Sequence, residues 1–563
     1  MHMTSTEDRC WKWPSSRLGS TILIAAFAYV AFALWAMLRA PTVPYADGWR
    51  FLGHFLDRSF IAGVLTPDNG HYEVIPNLVR IIELRFFSAN QQLQIAVGAI
   101  FLVATIAVGF TCLNDLHSPN REAAKLALSI GLCWLGNIRT LGHGNETVHA
   151  YTVTLCLVLG SMAMLRGKED GPSLFDGATS ATLGLIASFC FGSGFACFVA
   201  FFLLAALRRA RFSVWCVLFV MAVVTIALRQ IGNTDSAAIQ IHPALMVGRV
   251  LSWLSAPGIY AGWPLLDVKI AAQLPTAAVR STAFLTSSAW EHAFGQVMRA
   301  SWPHMLVGAT GILGLLCSTW KARLSPKKSA AFGLSIAWFA LAVGCMIVVA
   351  RSEYLISFPE QLLAPRYVVW SSLFWAGLAI SVLSQKSARS LAPIVALGVS
   401  VVLFPSQFWM LKLEDRMRDT AERTAVAAIV GVIGPRQQTG ETVIAELASA
   451  LPAIRAAHTA VFAWPESQLI GRPVPTASHE VPVHSIQVEP IPNTLTLSAG
   501  RQVQFWTTTD VAARYLILAD RDGVVRGLAL RDGNTASKWI GWMTEFDDVI
   551  TPQSVEIRQS DQR

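Results

Sequence analysis

The sequence is poor in charge: Asp, Glu, Lys and Arg make up 14% of its 563 residues. Soluble globular chains carry about 25% charged residues, so this composition excludes an ordinary soluble domain. Hydrophobic residues reach 53% and the mean hydropathy is +0.47. These values are typical of a polytopic membrane protein.

The sequence also lacks the motifs of several enzyme classes. The stretch "FGSGFA" at 191–196 lies within apolar sequence, has no strand–loop–helix context and so predicts no nucleotide-binding loop. No spacing indicates a Ser/His/Asp hydrolase. The nine cysteines include no CxxC pair and lie in the N-terminal tail or in apolar runs, so we predict small core residues and no disulfide framework.

Positive charge is concentrated in the apolar part of the chain. Residues 410–563 contain 15 Lys and Arg against 18 Asp and Glu, whereas the remainder contains 29 against 18. In a membrane protein such an excess marks cytoplasmic loops. We therefore expect this protein to have a lipid bilayer as its partner, and we do not expect the positive charge to bind nucleic acid.

Eleven apolar stretches are predicted to cross the membrane. Glycines at "FGSG" divide the long run 177–207 into a helical hairpin, and residues 246–263 are interpreted as interfacial or re-entrant. The predicted spans are 18–38, 92–113, 124–138, 148–165, 177–191, 193–207, 212–229, 302–319, 329–350, 367–384 and 390–410.

The basic loops orient these spans. "RGK", "RRAR", "KARLSPKK" and "QKSAR" follow predicted spans and should stay cytoplasmic. With eleven spans, the tail 1–17 is then cytoplasmic and residues 411–563 lie outside. The transmembrane domain 18–410 would place four loops on that outer side: 40–91, 139–147, 230–301 and 351–366.

The polar C-terminal region divides in two. Helical periodicity in "KLEDRMRDTAERTAVAAIV" and "ETVIAELASALPAIRAAH" predicts a helical segment over 411–480. Short alternating stretches then predict a small antiparallel β-sandwich over 481–563: "SIQVEPI", "TLTLSA", "QVQFWTT", "RYLILA" and "VVRGLAL". "ADRDG" at 519–523 is interpreted as a tight turn between strands.

Ionisable residues gather in three of the outer loops. Such groups are costly at membrane depth, so their concentration indicates a polar cavity. For single residues simpler interpretations stay open: Trp49 as an interfacial anchor, Arg366 as a snorkelling side chain, and His149 as a packed residue. The stretch "PNLVRIIELRFF" is interpreted as a helix lying in the interface. The three groups are Asp47, Trp49, Asp68, His71, Glu73 and Arg80; Arg139, His143, Asn145, Glu146 and His149; and Arg351, Glu353, Glu360, Arg366 and Tyr367.

This arrangement suits transfer chemistry on a lipid phosphate. Arginines would hold the phosphate and stabilise its departure as a leaving group. A carboxylate near them would take the proton from an attacking hydroxyl.

Four features resemble the GT-C class of integral-membrane glycosyltransferases. They are Asp47 in the first outer loop, the interfacial helix starting "HYEVIPNLVRI", the paired helices at 124–165 and 177–207, and "APRYVVWSSLFWAGLAI" at 364–380. The sequence departs from the class in having Gly48 where many members carry a second acid, and in displacing a proline to Pro76. The turn "GHGNETVHAY" also resembles one in uncharacterised bacterial polytopic proteins.

The resemblance implies an inverting enzyme that uses a polyprenyl-phosphate-linked sugar. It would act at the periplasmic side of the bacterial inner membrane on an envelope glycan, lipid or protein. Asp47 would be the catalytic base, or a ligand of Mg²⁺ or Mn²⁺ together with Asp68 or Glu73. The substrate-binding candidates are Trp49, His71, Arg139, Glu146, Arg351, Arg366 and Tyr367.

Two other functions are kept as alternatives. A transporter or flippase for a lipid-linked or anionic substrate would carry charges deep within its spans, and the nearly uncharged spans disfavour it. A non-catalytic envelope scaffold would bind glycan through its outer domain, with Trp506, Trp539 and Trp542 as a stacking platform.

Overall fold

A computed structural model describes the chain over residues 15–68, 71–167, 171–230, 242–262, 301–324, 327–385, 391–433, 442–491, 499–508, 511–533, 537–544 and 556–559. These parts of the chain are mostly helical and end in a β-sheet. The helices are, in chain order, α1 Ser15–Leu38, α2 Gly48–Leu56, α3 Phe60–Leu65, α4 Val74–Phe86, α5 Gln92–Thr111, α6 Asn120–Cys133, α7 Ile138–Leu141, α8 Gly144–Arg166, α9 Leu174–Ser188, α10 Ala196–Leu207, α11 Phe212–Gln230, α12 Pro243–Leu254, α13 Ala256–Gly262, α14 Ser301–Leu324, α15 Lys328–Ala350, α16 Tyr354–Ser357, α17 Val368–Leu383, α18 Ala392–Leu403, α19 Ser406–Val430 and α20 Ile444–Ala456.

Among the described residues, seven apolar helical segments are long enough to cross a membrane, because 18 or more residues at 1.5 Å each approach the hydrocarbon thickness of about 30 Å. Several such segments in one chain indicate a multi-pass membrane protein. They are Arg17–Leu38, Gln92–Thr111, Gly144–Arg166, Phe212–Gln230, Trp302–Leu324, Lys328–Ala350 and Pro365–Leu383.

The prediction of eleven spans is wrong for the described residues. Seven segments have the length, or eight if α18 and α19, which meet at a bend of 40°, form one span. Three of the other predicted spans correspond to shorter helices: α6 has 14 residues, α9 has 15 and α10 has 12. Extended backbone at Trp134 ends α6, and extended backbone at Phe191 separates α9 from α10.

Helices α15 and α17 approach each other closely through glycine. A Cβ on Gly333 would lie 2.6 Å from the Gly377 carbonyl oxygen, and a Cβ on Gly377 would lie 2.5 Å from the Gly333 oxygen. Small residues at such crossings let two backbones pack in direct contact. The predicted span at 367–384 is thereby fixed against its neighbour at 329–350.

The stretch 246–263 does not form one continuous helix. Helices α12 and α13 meet at Ser255, where the backbone N–H donates to Ser252 O. Arg249 on α12 donates to the carbonyl oxygens of Ser352 (3.1 Å) and Leu355 (2.8 Å). This region therefore packs against the loop that follows α15.

The predicted β-sandwich is instead a single antiparallel sheet, curved as a half-barrel, in the described residues. Its strands pair in the order β1-β7-β4-β5-β6-β3-β2. Four correspond to predicted stretches, while "TLTLSA" lies almost wholly outside the described residues. The strands are β1 His479–Glu480, β2 Val483–Ile491, β3 Gly500–Thr507, β4 Tyr515–Ala519, β5 Val525–Arg531, β6 Lys538–Thr544 and β7 Glu556–Gln559.

The central strands are buried on both faces. Phe505 and Trp539, paired across β3 and β6, belong to a core formed by residues of the sheet and its connecting segments. Leu528 and Trp542, paired across β5 and β6, belong to a second core against helices α19 and α20. The two stretches predicted to be helical within 411–480 lie in α19 and α20, which pack against this face of the sheet, and α19 runs without a break through residue 410.

Candidate functional site

The loop after α1 is fixed from three sides. The Gln91 side chain donates to Val43 O, the His143 imidazole Nε2 lies 3.2 Å from Tyr45 O, and the Ala46 N–H donates to Thr442 Oγ1 at 3.1 Å. The last of these partners precedes α20 in the C-terminal region. The loop therefore has one defined path between the helical domain and the C-terminal helices.

Ala46 adopts a strained backbone conformation immediately before Asp47. Its φ is +49°, in the left-handed region that costs a residue with a Cβ about 1–2 kcal/mol. Such strain persists only where surrounding contacts impose it, and it is enriched at functional sites. Here it accompanies the N-cap position of α2, which is Asp47.

Asp47 lies at the edge of a group of three carboxylates around one arginine. Arg50 contacts Asp68 through both Nε (3.2 Å) and Nη2 (2.8 Å), and its Nη1 lies 2.6 Å from Glu446 Oε1. Its separation from Asp47 is longer, 3.6 Å. We call these four residues the Arg50 cluster. Asp47 is its most exposed carboxylate, at 45% of the side chain.

The three candidate metal ligands do not gather as a metal site. Asp68 is occupied by the Arg50 guanidinium, and Glu73 Oε2 lies 2.5 Å from Arg80 Nη2. Among the described residues, no group of three or more His, Cys, Asp and Glu has an arrangement that could hold a metal ion. Asp68 and Glu73, which were predicted to bind Mg²⁺ or Mn²⁺ together with Asp47, instead contact Arg50 and Arg80.

Trp49 is fully buried, in contrast to its predicted role at a substrate. It lies in the core shared by the 43–46 loop, α19, α20 and the sheet. Its position follows from the turn into α2, which points Trp49 inward while Asp47 stays at the surface. The ring anchors the loop.

Helix α4 does not lie on the surface with its charges outward. Arg80 and Glu83 are buried, at 4% and 1% exposure, whereas Ile82 and Phe86 are exposed. Arg80 donates to Asn77 Oδ1 at 2.6 Å and lies over the Phe51 ring at 4.1 Å. Two of the three charged residues predicted on the polar side, Arg80 and Glu83, therefore face the protein, whereas Arg85 is exposed.

Glu73 and Arg80 form a buried ion pair at the start of α4. Their side chains are 5% and 4% exposed. Burial raises the pKa of Glu73, and the Arg80 guanidinium opposes that rise. The pair joins the N-cap of α4 to the second turn of the same helix, while the Val74 N–H donates to Phe189 O of the neighbouring α9 region at 2.7 Å.

The second predicted group assembles as a buried pair with an aromatic contact. Arg139 Nη1 lies 3.1 Å from Glu146 Oε1, and the Arg139 guanidinium lies 5.2 Å from the centre of the Tyr45 ring. His143 packs edge-on against the same ring at 5.5 Å. Burial and the charge of Arg139 hold the pKa of His143 well below its usual value. This group thus braces the loop that carries Asp47.

His71 and His149 meet on one aromatic ring. His149 stacks flat on Phe191, with 4.0 Å between ring centres, and His71 contacts the same ring at 5.3 Å. Burial and the charges of Arg229 and Arg351 lower the pKa of His71 to about 4. Arg351 of the third predicted group thus acts electrostatically on His71 of the first.

Arg366 and Tyr367 stand in the short 3₁₀ turn before α17. Arg366 donates to Gln361 Oε1 at 3.3 Å and lies over the Tyr367 ring at 5.1 Å. Their turn packs against α7, which carries Arg139. The structure therefore brings the three predicted groups together at one end of the helical domain.

No protein-family model matches the chain, and no curated protein matches it.

Three participants in this region carried no sequence signal of their own. Arg50 and Glu446 are far apart in sequence. The helical periodicity at 441–458 predicted α20, but it did not predict the contact of α20 with Arg50 through Glu446. Arg229 was counted as the last residue of a span, although its guanidinium approaches Gly192 O at 3.5 Å. Only the packing of α11 beside α9 brings it there.

Cavities limit what this conformation can bind. The space between Phe51, Arg80 and His143 is about 30 Å³, enough for water but not for a sugar ring. A cleft of about 260 Å³ lies on the other side of the loop, between Pro44, Asn90 and Trp464. An apolar cavity of about 650 Å³ runs along α6 from Leu126 to Trp134.

Proposed function

We propose that this protein is a membrane-embedded transferase that moves a sugar from a polyprenyl-phosphate donor to an acceptor of the bacterial envelope. The exposure of Asp47 carries the proposal. Neighbouring carboxylates have arginine partners at 2.5–3.1 Å, whereas Asp47 is 3.6 Å from Arg50 and nearly half exposed. A solvated carboxylate in a rigid loop can accept a proton from an attacking hydroxyl.

The surroundings of Asp47 support donor chemistry on a phosphate. Arg80, Arg139, Arg229 and Arg351 lie at the same end of nearly uncharged helices. Guanidinium groups in a site of low dielectric stabilise a phosphate as it leaves. Acceptor attack would start at the surface, where Asp47 is accessible.

The apolar cavity supports a substrate with a hydrocarbon chain. Its walls come from α6, α17 and α18 together with residues 255–258, and they are almost entirely aliphatic or aromatic. A prenyl chain fits such a lining because its burial there is favourable and leaves no polar group unpaired.

The scaffold alternative loses its main support in the sheet. Trp539 and Trp542 are 0% and 1% exposed, so they cannot form a stacking platform with Trp506, which is 42% exposed. One exposed tryptophan is a common surface feature.

The test is release of polyprenyl phosphate from a panel of polyprenyl-phosphate sugars by the purified protein in nanodiscs, with a periplasmic extract as acceptor source. Asp47→Asn should abolish release while the protein stays folded. Asp57→Asn is the matched control, because Asp57 is an exposed aspartate at the opposite end of α2.

Release that is lost in Asp47→Asn and kept in Asp57→Asn supports the proposal. Release that persists in Asp47→Asn removes Asp47 from the chemistry. Absence of release from every donor, with folded wild-type protein, contradicts the transfer reaction.

A further inference from the structure

The turn Phe191–Gly194, which we call the FGSG turn, is the meeting point of side chains from three other segments. His71 lies so close to Gly192 that a Cβ there would be 2.7 Å from His71 Nδ1. His149 stacks on Phe191, and Arg229 Nη1 approaches Gly192 O at 3.5 Å. The glycine is therefore required for this convergence.

Several polar atoms at this turn have no protein partner in the described part of the chain. They are Ser193 Oγ, His149 Nδ1 and His71 Nδ1, all shielded from solvent. Ser193 and His149 are only 7% and 6% exposed. Buried polar atoms are hydrogen-bonded in more than nine cases in ten, so three orphans in contact with one turn point to a missing ligand.

The charge of the surrounding residues specifies an anion. Within the described ranges no carboxylate forms an ion pair with Arg229, whose Nη1 lies 3.5 Å from Gly192 O. By contrast, Arg50, Arg80 and Arg139 each have an acidic partner. The Arg229 guanidinium therefore leaves net positive charge in a partly buried place.

The backbone adds to this preference. The FGSG turn leads directly into α10, a helix of 12 residues. The first N–H groups of a helix lack intrahelical acceptors, and the helix dipole places partial positive charge there. Gly194 N–H already donates to Phe191 O at 3.0 Å, so the N–H groups of Gly192 and Ser193, beside the Ser193 hydroxyl, are the ones that could hold a phosphate at this helix start.

We propose that the FGSG turn, with Ser193, His71, His149 and Arg229, is an oxyanion site that binds a phosphate group. Arg229 supplies charge and paired N–H donors, while Ser193 Oγ and the turn supply short hydrogen bonds to the remaining oxygens. The inference deepens the proposed function and rests on it for the expectation that the phosphate belongs to a lipid.

The experiment measures binding without turnover. The full-length protein in nanodiscs is titrated with inorganic phosphate at constant ionic strength, and separately with a polyprenyl phosphate beside the uncharged polyprenol. Tryptophan fluorescence gives the Kd. Arg229→Gln should raise the Kd by about tenfold to a hundredfold, since it removes a charge-assisted hydrogen bond.

Two further variants keep the result interpretable. Ser193→Ala removes one hydroxyl with minimal change of shape, and we expect a Kd increase of about threefold to tenfold. Arg323→Gln is the matched control: like Arg229, it is the penultimate residue of a long apolar helix, here α14, and it is exposed. It should leave the Kd unchanged.

Binding of inorganic phosphate that depends on Arg229 supports an oxyanion site open to the free ion. Binding of the polyprenyl phosphate alone, with the same dependence, supports a site for the lipid headgroup. No saturable binding of either probe, or a Kd unaltered in both Arg229→Gln and Ser193→Ala, overturns the site. Arg229-dependent binding without sugar transfer would retain the site and reject the transferase.

Discussion

The buried ion pair at the start of α4 allows a quantitative test of the structure. Glu73 Oε2 and Arg80 Nη2 are 2.5 Å apart, with neither side chain more than 5% exposed. With an effective dielectric of about 20, their Coulomb attraction is about 7 kcal/mol before desolvation. Removing one partner of such a pair costs about 3–5 kcal/mol, because the other charge stays buried and unpaired.

We therefore expect Glu73→Gln and Arg80→Met each to lower the free energy of unfolding by about 3–5 kcal/mol. The double variant should lose clearly less than the sum, because it leaves no isolated charge. The measurement is unfolding by SDS in mixed micelles, followed by tryptophan fluorescence and analysed as a double-mutant cycle.

An exposed pair in the same chain is the control. Arg558 Nη2 lies 2.9 Å from Glu556 Oε2, but the side chains are 32% and 40% exposed. Arg558→Met should cost no more than about 1 kcal/mol. Additive effects of the Glu73 and Arg80 substitutions, or single effects as small as that of Arg558→Met, would refute the buried pairing.

Three further predictions follow from single residues. The pKa of His71 is lowered to about 4 in the folded protein, so the unfolded chain binds the extra proton as pH falls from about 6.5 to 4. The free energy of unfolding should therefore fall by up to about 3 kcal/mol over that range, and by visibly less in His71→Asn. The measurement is unfolding as a function of pH. Ala46→Val should lower the free energy of unfolding by about 1–2 kcal/mol, since a β-branched residue resists φ of +49°, while Ala46→Gly should change it by less than about 0.5 kcal/mol. Trp539→Ala should cost about 3–5 kcal/mol in SDS unfolding because its ring is fully buried, whereas Trp506→Ala should cost less than about 1 kcal/mol.

The apolar pattern predicted where helices occur better than how long they are. Runs such as 92–113 and 329–350 are uncharged throughout and became α5 and α15 almost residue for residue. The runs 177–191 and 193–207 are also uncharged and apolar, but the turn between them shortens both helices. Hydropathy measures composition, and it does not register where backbone geometry interrupts a helix.

For the polar residues of the site, the sequence predicted a shared location but not the contacts that each side chain makes. Asp47, His71 and Arg139 do lie at one end of the helical domain, as charge and spacing indicated. Their partners Arg50, Tyr45 and Phe191 come from contacts between distant segments, which a single sequence does not reveal. Trp49 looks like an interfacial anchor by composition, but the direction of the turn into α2 buries it.

The strand pattern predicted elements and not their assembly. β3 and β5 matched their alternating stretches, and "ADRDG" is confirmed as a turn, with Asp520 Oδ1 accepting from the N–H of Asp522 (3.0 Å) and Val524 (2.9 Å). Alternation alone does not distinguish two facing sheets from one curved sheet. Here α19 and α20 cover the face that a second sheet would have covered.

The continuity of α19 through residue 410 bears on how this protein can be cut or fused. The helix begins beside Trp134, whose indole N–H donates to Ser406 Oγ at 2.7 Å, and ends against the sheet. A truncation at the apparent edge of the apolar region would remove the rest of this helix and expose the ring of Trp49. Neither half of such a division would keep an intact surface around Asp47, so reporters and affinity tags belong at the termini.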